Sequence, residues 1–163
     1  MDVGTGSGCL AIALALECPE AEVFATDTSE GALAVARENA RRHGVADRIA
    51  FSRGAFLAAV QGPIDLIVAN PPYVAERDRH TLPRELVAFE PADALFAGPD
   101  GLDAIRGLLP LAAAELGPHG RLILEIGQGQ LRAVRDLASA TTRLRVERTQ
   151  ADLQGIPRVL VIG

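Results

Sequence analysis

Apolar residues occur in this chain in two patterns, and the patterns alternate from one end to the other. Short continuous runs such as Ile64 to Ala69 are typical of strands. The segment from Ser29 to Arg42 has helical spacing instead, with Ser29 suited to cap the helix and Gly44 suited to close it. The predicted strands are Met1 to Val3, Glu22 to Thr26, Arg48 to Ser52, Ile64 to Ala69, Arg121 to Ile126, Arg143 to Thr149 and Arg158 to Ile162. The predicted helices are Cys9 to Glu17, Ser29 to Arg42, Leu102 to Leu116 and Gln130 to Ala140.

Strands that alternate with helices through short links predict one α/β domain over residues 1–163, with a doubly wound, mostly parallel sheet. Ligands of such sheets bind at the carboxyl ends of the strands. The segment from Val74 to Gly101 is predicted to be irregular, because it contains Pro83, Pro91 and Pro99. A segment of that length is expected to carry function.

The first predicted strand is short. Met1 to Val3 looks like the last part of a strand, since a central strand runs about five or six residues. We therefore expect that the first strand is truncated and that residues upstream of it are missing.

The composition is that of an ordinary globular protein, 48% hydrophobic and 23% charged. No apolar run approaches the length of a membrane span and no signal peptide is visible, so we expect a cytoplasmic protein with no membrane partner. The net charge of −5 argues against broad nucleic-acid binding. Cys9 and Cys18 lack the spacing of a metal site and have apolar neighbours, which predicts buried thiols and no metal.

A turn of unusual composition, Asn70-Pro71-Pro72-Tyr73, follows the predicted strand Ile64 to Ala69. Two consecutive prolines cannot continue a central strand, so the chain leaves the sheet in a stiff, extended turn. Because neither proline has an N–H, the carbonyl oxygens of the turn lack their usual local donors. The asparagine adds an acceptor and a donor, and the tyrosine adds a flat ring. Such a turn can hold a planar amino or amide group.

A glycine-rich turn, Gly4-Thr5-Gly6-Ser7-Gly8, joins the first predicted strand to the first helix, and Asp2 precedes it. Its glycines let the backbone turn tightly and let a ligand approach, and the helix N-terminus offers free N–H groups. A dinucleotide motif would place its third glycine where Cys9 stands, and a P-loop would need a lysine that is missing. The remaining pattern, G-x-G-x-G after an acid, resembles the first motif of the S-adenosylmethionine-dependent methyltransferases.

Asp27 lies at the end of the second predicted strand, about twenty residues after the glycine turn. An acid at this position can accept hydrogen bonds from both ribose hydroxyls of a bound nucleoside. The alternative is that Asp27 belongs to the capping region of the next helix, where Thr28 or Ser29 could serve as well.

Together these features resemble a class I methyltransferase, a Rossmann-like fold whose mostly parallel, seven-stranded sheet has a C-terminal antiparallel strand. The N-P-P-Y turn is shared by amino-methylating members that act on DNA adenine, rRNA guanine, tRNA adenine or protein glutamine. The segments after it are similar to the release-factor glutamine methyltransferases, the HemK/PrmC family. The matching residues are Asn70-Pro71-Pro72-Tyr73-Val74, Phe89-Glu90-Pro91, Ala94-Leu95, Gly98, Asp100-Gly101-Leu102, Pro118-His119-Gly120-Arg121-Leu122, Leu124-Glu125-Ile126-Gly127, Gln130, Val134, Asp152-Leu153, Gly155 and Pro157-Arg158-Val159.

The resemblance implies N5-methylation of the glutamine in the Gly-Gly-Gln motif of peptide-chain release factors, with S-adenosylmethionine as donor and S-adenosylhomocysteine as product. The partner would be a release factor, and nucleic acid is not expected as a direct substrate. The implied coenzyme positions are Gly4, Thr5, Gly6, Ser7, Gly8, Asp27, Ala55 and Asn70. The implied catalytic residues are Asn70, Pro71 and Tyr73, and the implied substrate-binding residues are Asn70, Pro71, Pro72, Tyr73 and Glu90. Glu90 could instead be a structural carboxylate that ties the long segment down.

Two departures from the family pattern leave alternatives open. Gly54 stands where the family has an acid beside the adenine, which predicts weaker coenzyme binding. The helical domain that the family carries at its N-terminus has no counterpart in these 163 residues. The alternatives are a methyltransferase that acts on adenine N6 or guanine N2 of nucleic acid, and a non-catalytic remnant that only binds the coenzyme.

Overall fold

Strands and helices alternate along the chain in the computed structural model, which describes residues 1–57 and 62–163. The strands are β1 (Asp2–Val3), β2 (Val23–Asp27), β3 (Ile49–Arg53), β4 (Ile64–Ala69), β5 (Leu116–Glu125), β6 (Val146–Ala151) and β7 (Pro157–Ile162). The helices are α1 (Cys9–Glu17), α2 (Glu30–Arg42), α3 (Arg84–Phe89), α4 (Ala92–Leu95), α5 (Asp103–Glu115) and α6 (Leu131–Ala140), with 3₁₀ helices at Ala46–Arg48 and Glu76–Thr81.

The sheet has seven strands in the order β3-β2-β1-β4-β5-β7-β6. β1 pairs parallel with both β2 and β4, and β2 pairs parallel with β3. β7 pairs antiparallel with β6. The predicted α/β fold, with a mostly parallel sheet and an antiparallel strand near the C-terminus, is confirmed.

Contacts group the residues into two compact units. The first unit is Met1–Asn70 with Ala114–Ile123, and the second is Pro71–Ala113 with Leu124–Gly163. The assignment of residues 1–163 to one domain stays a prediction.

The core of the first unit is built from small side chains. Helix α2 buries Leu33, Ala36 and Ala40, whose spacing of three and four residues places them on one face. The predicted cap is confirmed, since the Ser29 hydroxyl oxygen accepts a hydrogen bond from the N–H of Ala32. The core cluster consists of Ala11, Ile12, Ala15, Val23, Ala25, Ala40, Val45 and Ile49.

In the second unit, helix α5 continues through Pro110 and buries an apolar stripe. The stripe consists of Ile105, Leu108, Leu109 and Ala112, at the spacing of one helix face. Helix α6 buries Val134 and Ala138 in the same way. Both helices were predicted, and their bounds lie within one residue of the prediction at each end.

The prediction of an irregular segment from Val74 to Gly101 is wrong in part. The segment contains the 3₁₀ helix Glu76–Thr81 and the short helices α3 and α4. Pro83 and Pro91 are the residues immediately before α3 and α4, with φ of −52° and −57°. A proline there has a backbone angle already suited to the helix and loses no internal hydrogen bond, so it begins a helix instead of breaking one.

The predicted burial of the cysteines is also wrong, because Cys9 and Cys18 are both exposed. Cys9 is the first residue of α1 and Cys18 follows its last residue, while the buried face of the helix is formed by residues between them. A further difference is that β5 begins at Leu116, earlier than the predicted Arg121.

No helix in the described part of the chain combines the length and the apolarity that a membrane crossing needs. Within the same residues, no group of three His, Cys, Asp or Glu side chains is arranged to hold a metal ion.

Gly8 is the position where the fold depends most directly on a missing side chain. Its φ is +86°, and a Cβ added there would lie 3.0 Å from the Cβ of Ala36 on α2. Gly44 has a similar φ of +71°, but a Cβ there would meet no atom within 4 Å. A comparison of substitutions at Gly8 and Gly44 therefore separates the effect of backbone strain from the effect of crowding.

We expect Gly8→Ala to lower the free energy of unfolding by about 1–3 kcal/mol more than Gly44→Ala, because only the former adds overpacking to left-handed strain. Urea denaturation of both variants measures the difference. Equal losses would show that α2 moves away from Gly8 at no cost.

Candidate functional site

Strand pairing places several chain segments at one edge of the sheet in the first unit. Val3 is level with Thr26 of β2 on one side and with Ala69 of β4 on the other. The next residues, Gly4, Asp27 and Asn70, therefore lie level with one another at the carboxyl ends of the strands. Asp27 is still the last residue of β2, while Gly4 and Asn70 lie just beyond their strands. All three are predicted site residues.

The glycine turn is fastened to β2 and open on its other side. The N–H groups of Gly4 and Thr5 both donate to the carbonyl oxygen of Thr26, each at 2.9 Å. Gly4 and Gly6 have φ of +69° and +55°, and a Cβ on either would meet no atom within 4 Å. The turn therefore has the left-handed backbone that glycine permits and leaves space for a ligand against it.

The Asp27 carboxylate links the glycine turn to the start of α2. One oxygen accepts from the N–H of Gly6 at 2.9 Å, and the other accepts from the N–H of Ser29 at 2.9 Å. The alternative that Asp27 belongs to the capping region of the next helix is supported by the bond from Ser29, whereas its role toward a ribose stays a prediction. A carboxylate offers about four acceptor positions, so capacity remains for ribose hydroxyls.

The loop after β3 is held to the end of β2. The N–H of Gly54 donates to the carbonyl oxygen of Asp27 at 3.0 Å, and the Thr26 hydroxyl donates to the carbonyl oxygen of Phe56 at 2.7 Å. Between these two bonds lies Ala55, the predicted coenzyme residue, with its side chain exposed. Phe56 has φ of +53°, a left-handed conformation that the hydroxyl bond stabilises.

Asp2 is a residue of this site to which sequence reasoning assigned no role. It is 1% exposed. One carboxylate oxygen accepts from the Thr5 hydroxyl at 2.6 Å and from the N–H of Ala11 at 2.9 Å. Within the described residues, the other oxygen has no hydrogen-bond partner. The signal in the sequence was the acid two residues before the first glycine, and its structural role is to brace the turn against α1.

Asn70 follows β4 with an exposed side chain. In the described part of the chain, no protein group bonds to its side-chain amide. Its acceptor and donors are therefore available to a ligand, and the predicted role of Asn70 toward a ligand stays a prediction.

In the second unit, Pro71 is buried and Tyr73 is half-buried. The Tyr73 carbonyl oxygen accepts from the side-chain amide of Gln130 at 2.9 Å, and its hydroxyl accepts from Arg158 at 3.3 Å. The Arg158 guanidinium carbon lies 5.5 Å from the centre of the tyrosine ring, within the range of a cation–π contact. Gln130 and Arg158 belonged to the family match, but the sequence assigned them no role.

The long segment after the turn is joined to it by backbone pairing. Val74 forms a parallel bridge with Phe96. Its N–H donates to Leu95 at 2.9 Å, and its carbonyl oxygen accepts from Ala97 at 3.0 Å. Leu95 to Ala97 are distant from Val74 in the sequence, so only the tertiary structure identifies this pairing.

Glu90 follows α3 and is exposed. Over residues 1–57 and 62–163, no hydrogen bond or ion pair involves its carboxylate, so the hypothesis of a carboxylate that ties the segment down finds no contact to support it. The neighbouring Phe89 is 85% exposed. A role of Glu90 toward a substrate stays a prediction.

Comparison with known proteins gives concordant results. The sequence model of the methyltransferase small domain family matches residues 1–97. The chain is 50% identical to the release factor glutamine methyltransferase of Moorella thermoacetica, over 96% of this chain and 56% of that protein. It is 46% identical to the release factor glutamine methyltransferase of Bradyrhizobium diazoefficiens, over 98% of this chain and 54% of that protein. The chain thus spans little more than half the length of these relatives.

A solved structure with a similar fold is the ribosomal protein L11 methylase of Lactobacillus delbrueckii subsp. bulgaricus. The TM-score is 0.73 at 28% identity, over 99% of this chain and 67% of that chain. The predicted class I methyltransferase fold is confirmed by this similarity together with the sheet order.

Asp2 should make stability depend on pH in a defined direction. Burial raises the pKa of the Asp2 carboxyl above the 3.8 of a solvated aspartate, and the hydrogen bonds from Thr5 and Ala11 offset part of the rise. The folded protein then keeps a proton that the unfolded chain has lost. The contribution of Asp2 to the free energy of unfolding is complete below pH 3.8 and declines as the pH rises through the raised pKa.

Asp2→Asn has no proton to lose at this position. We expect the free energy of unfolding of the variant to increase relative to that of the unsubstituted protein as the pH rises from 3.8 through the raised pKa of Asp2. Urea denaturation at several pH values measures this difference, and a difference independent of pH would contradict the assignment.

Proposed function

This chain belongs to the methyltransferase small domain family, and from that premise we propose that it methylates the glutamine side-chain nitrogen, N5, in the Gly-Gly-Gln motif of a peptide-chain release factor. The methyl donor is S-adenosylmethionine. The partner is a release factor, and the place of action is the cytoplasm.

One observation carries the proposal. The register of β1 with β2 and β4 brings the glycine turn, Asp27 and Asn70 to the same edge of the sheet in the first unit. A coenzyme that contacts the turn and Asp27 therefore lies at the edge where the N-P-P-Y turn begins. The likeness to proteins named release factor glutamine methyltransferase supports glutamine as the acceptor.

The residues in the first unit fit the coenzyme. The open side of the glycine turn admits a ligand without a clash, since no atom lies within 4 Å of a Cβ placed on Gly4 or Gly6. Asp27 keeps free acceptor positions for ribose hydroxyls. Ala55 has no polar side chain for the adenine, and neither has Gly54 before it.

The bound coenzyme supplies an activated methyl group, whose bond to the positive sulfur breaks as the glutamine nitrogen bonds to carbon, leaving S-adenosylhomocysteine. The task of the protein is to position a poor nucleophile, because the amide lone pair is delocalised into the carbonyl. The Asn70 side-chain oxygen and the Pro71 carbonyl oxygen accept the two N–H hydrogens of the substrate amide. This orients the nitrogen and stabilises the positive charge that develops on it.

Tyr73 and Pro72 complete the turn around the acceptor. The tyrosine ring packs on the plane of the substrate amide, and the prolines keep the backbone stiff, so that little entropy is lost when the amide binds. The nitrogen releases its proton to water after the methyl has been transferred, because the alkylated amide is acidic. No strong base is required before attack.

Asn70→Ala should abolish methyl transfer and leave coenzyme affinity largely intact, because it removes the acceptor for the substrate and no part of the glycine turn. The assay is transfer of tritiated methyl to purified release factor, rRNA, tRNA and DNA, with Gln150→Ala on β6 as a matched amide truncation. Near-normal turnover of Asn70→Ala would refute the assigned role. Label that appears only in nucleic acid would refute the glutamine acceptor.

Gly54→Asp should tighten coenzyme binding, because it restores an acceptor beside the adenine. The backbone bond from Gly54 to Asp27 needs no particular side chain and survives the change. One ordinary hydrogen bond of about 0.5–1.5 kcal/mol corresponds to a roughly two- to tenfold lower Kd for S-adenosylmethionine. Isothermal calorimetry measures the Kd, and an unchanged value would place the adenine elsewhere.

A further inference from the structure

The Asn70-Pro71-Pro72-Tyr73 turn has few donors of its own. Pro71 and Pro72 lack N–H groups, so Asn70 and Tyr73 have the only backbone donors of the turn. The rings of Pro71 and Pro72 fix the φ angles of these two residues. They do not fix the peptide plane that follows Tyr73. The orientation of that plane has to be determined by groups from other parts of the second unit.

Gln130 supplies the missing donor. Its side-chain NH₂ donates to the carbonyl oxygen of Tyr73 at 2.9 Å and to that of Gly101 at 3.1 Å. Its side-chain oxygen accepts from the N–H of Gly127 at 2.8 Å. One amide thus joins the turn to the start of α6, the end of β5 and the end of the long segment, and all of its contacts lie within the second unit.

Two glycines pack closely against Gln130 and Tyr73. A Cβ on Gly127 would lie 2.9 Å from the Gln130 side-chain oxygen and 3.1 Å from Cδ2 of Tyr73. A Cβ on Gly101 would lie 2.3 Å from the Tyr73 carbonyl oxygen. The two glycines allow the amide of Gln130 and the backbone of Tyr73 to approach each other closely.

Arg158 holds the other end of Tyr73. Its Nη2 donates to the Tyr73 hydroxyl at 3.3 Å and lies 4.0 Å from a carboxylate oxygen of Glu125. The backbone carbonyl oxygen of Arg158 accepts from Ile126 at 2.9 Å, which fixes the start of the arginine side chain next to β5. The arginine is therefore held from both ends while it contacts the tyrosine ring.

We propose that Gln130 and Arg158 are positioning residues that set the plane of the Tyr73 ring, Gln130 through the backbone carbonyl and Arg158 through the hydroxyl. The consequence for catalysis rests on the proposed function, because it assumes that the ring packs on the acceptor amide. The consequence for the orientation of Tyr73 does not depend on that function.

The composition provides a direct reporter. Tyr73 is the only tyrosine of the chain, which has no tryptophan. Protein grown with 3-fluorotyrosine therefore gives one ¹⁹F resonance, and its position and width report the surroundings of this ring. The resonance can be recorded without coenzyme, substrate or turnover.

The variants are Gln130→Met, Gln130→Glu and Arg158→Met. Methionine removes all three bonds of Gln130, whereas glutamate keeps an acceptor for Gly127 but loses the donors to Tyr73 and Gly101. Gln128→Met is the matched control for glutamine, since Gln128 lies in the same connection and is exposed. Arg135→Met is the matched control for arginine, since Arg135 is on α6 and donates to Thr149.

We expect the ¹⁹F resonance to shift or broaden in the Gln130 and Arg158 variants and to stay in place in both controls. We expect kcat for methyl transfer to release factor to fall about 10- to 100-fold, as for a small misplacement of a positioning group. The Kd for S-adenosylmethionine should stay the same, since the glycine turn and Asp27 are untouched. A general loss of folding would change the Kd as well, so the unchanged value separates positioning from stability.

An unshifted resonance in Gln130→Glu and Arg158→Met would overturn the inference. If Gln130→Met fails to fold, Arg158→Met still tests whether the hydroxyl contact positions Tyr73. Gln130→Glu still tests whether the carbonyl contact does. If the unsubstituted protein transfers no methyl to release factor, the proposed function fails, while the fluorine spectra still confirm or refute the positioning of Tyr73.

Discussion

The site depends on the pairing of β1 with a neighbour on each side. The strand has two residues, yet both are in register with β2 and with β4. Because side chains alternate between the faces of a strand, a slip by one residue would reverse every contact and would separate the glycine turn from Asp27. Asp2 strengthens this arrangement, since its buried carboxylate binds Thr5 and Ala11 and so connects the strand, the turn and the helix. Burial disfavours the charged form of the Asp2 carboxyl, and this unfavourable desolvation raises its pKa.

The glycine turn and the Asn70-Pro71-Pro72-Tyr73 turn each have the same problem, which is a backbone with unsatisfied polar groups. The glycine turn is satisfied by the Thr26 carbonyl and by Asp27, both at the end of β2. The Asn70-Pro71-Pro72-Tyr73 turn instead needs donors, because its carbonyl oxygens have no proline N–H groups nearby. Gln130 meets that need from a position 57 residues away. In both cases a group from another strand or helix end takes the place of a local bond, which keeps the turns rigid and leaves other polar groups available to ligands.

Sequence patterns predicted the long helices well and the short ones poorly. The predicted bounds of α2, α5 and α6 agree with the structure within one residue at each end, and each of these helices buries one apolar face. The helices α3 and α4 were missed, since their residues are exposed and have no such pattern. The exposed cysteines were predicted to be buried because their neighbours are apolar, but burial depends on which side of the helix meets the core.

The sequence by itself determined the parts of this protein that follow from local chemistry. The glycine spacing, the acid after β2 and the two prolines each restrict the backbone or supply a group whatever surrounds them, so these candidate site residues could be named without coordinates. Only the tertiary structure decided how those parts are held. Strand register placed the turn, Asp27 and Asn70 at one edge, and chain segments distant in sequence brought Gln130 and Arg158 to Tyr73. The physical reason is that a hydrogen bond between residues far apart along the chain leaves no periodic trace in the sequence, whereas a backbone restriction is a property of the residue itself.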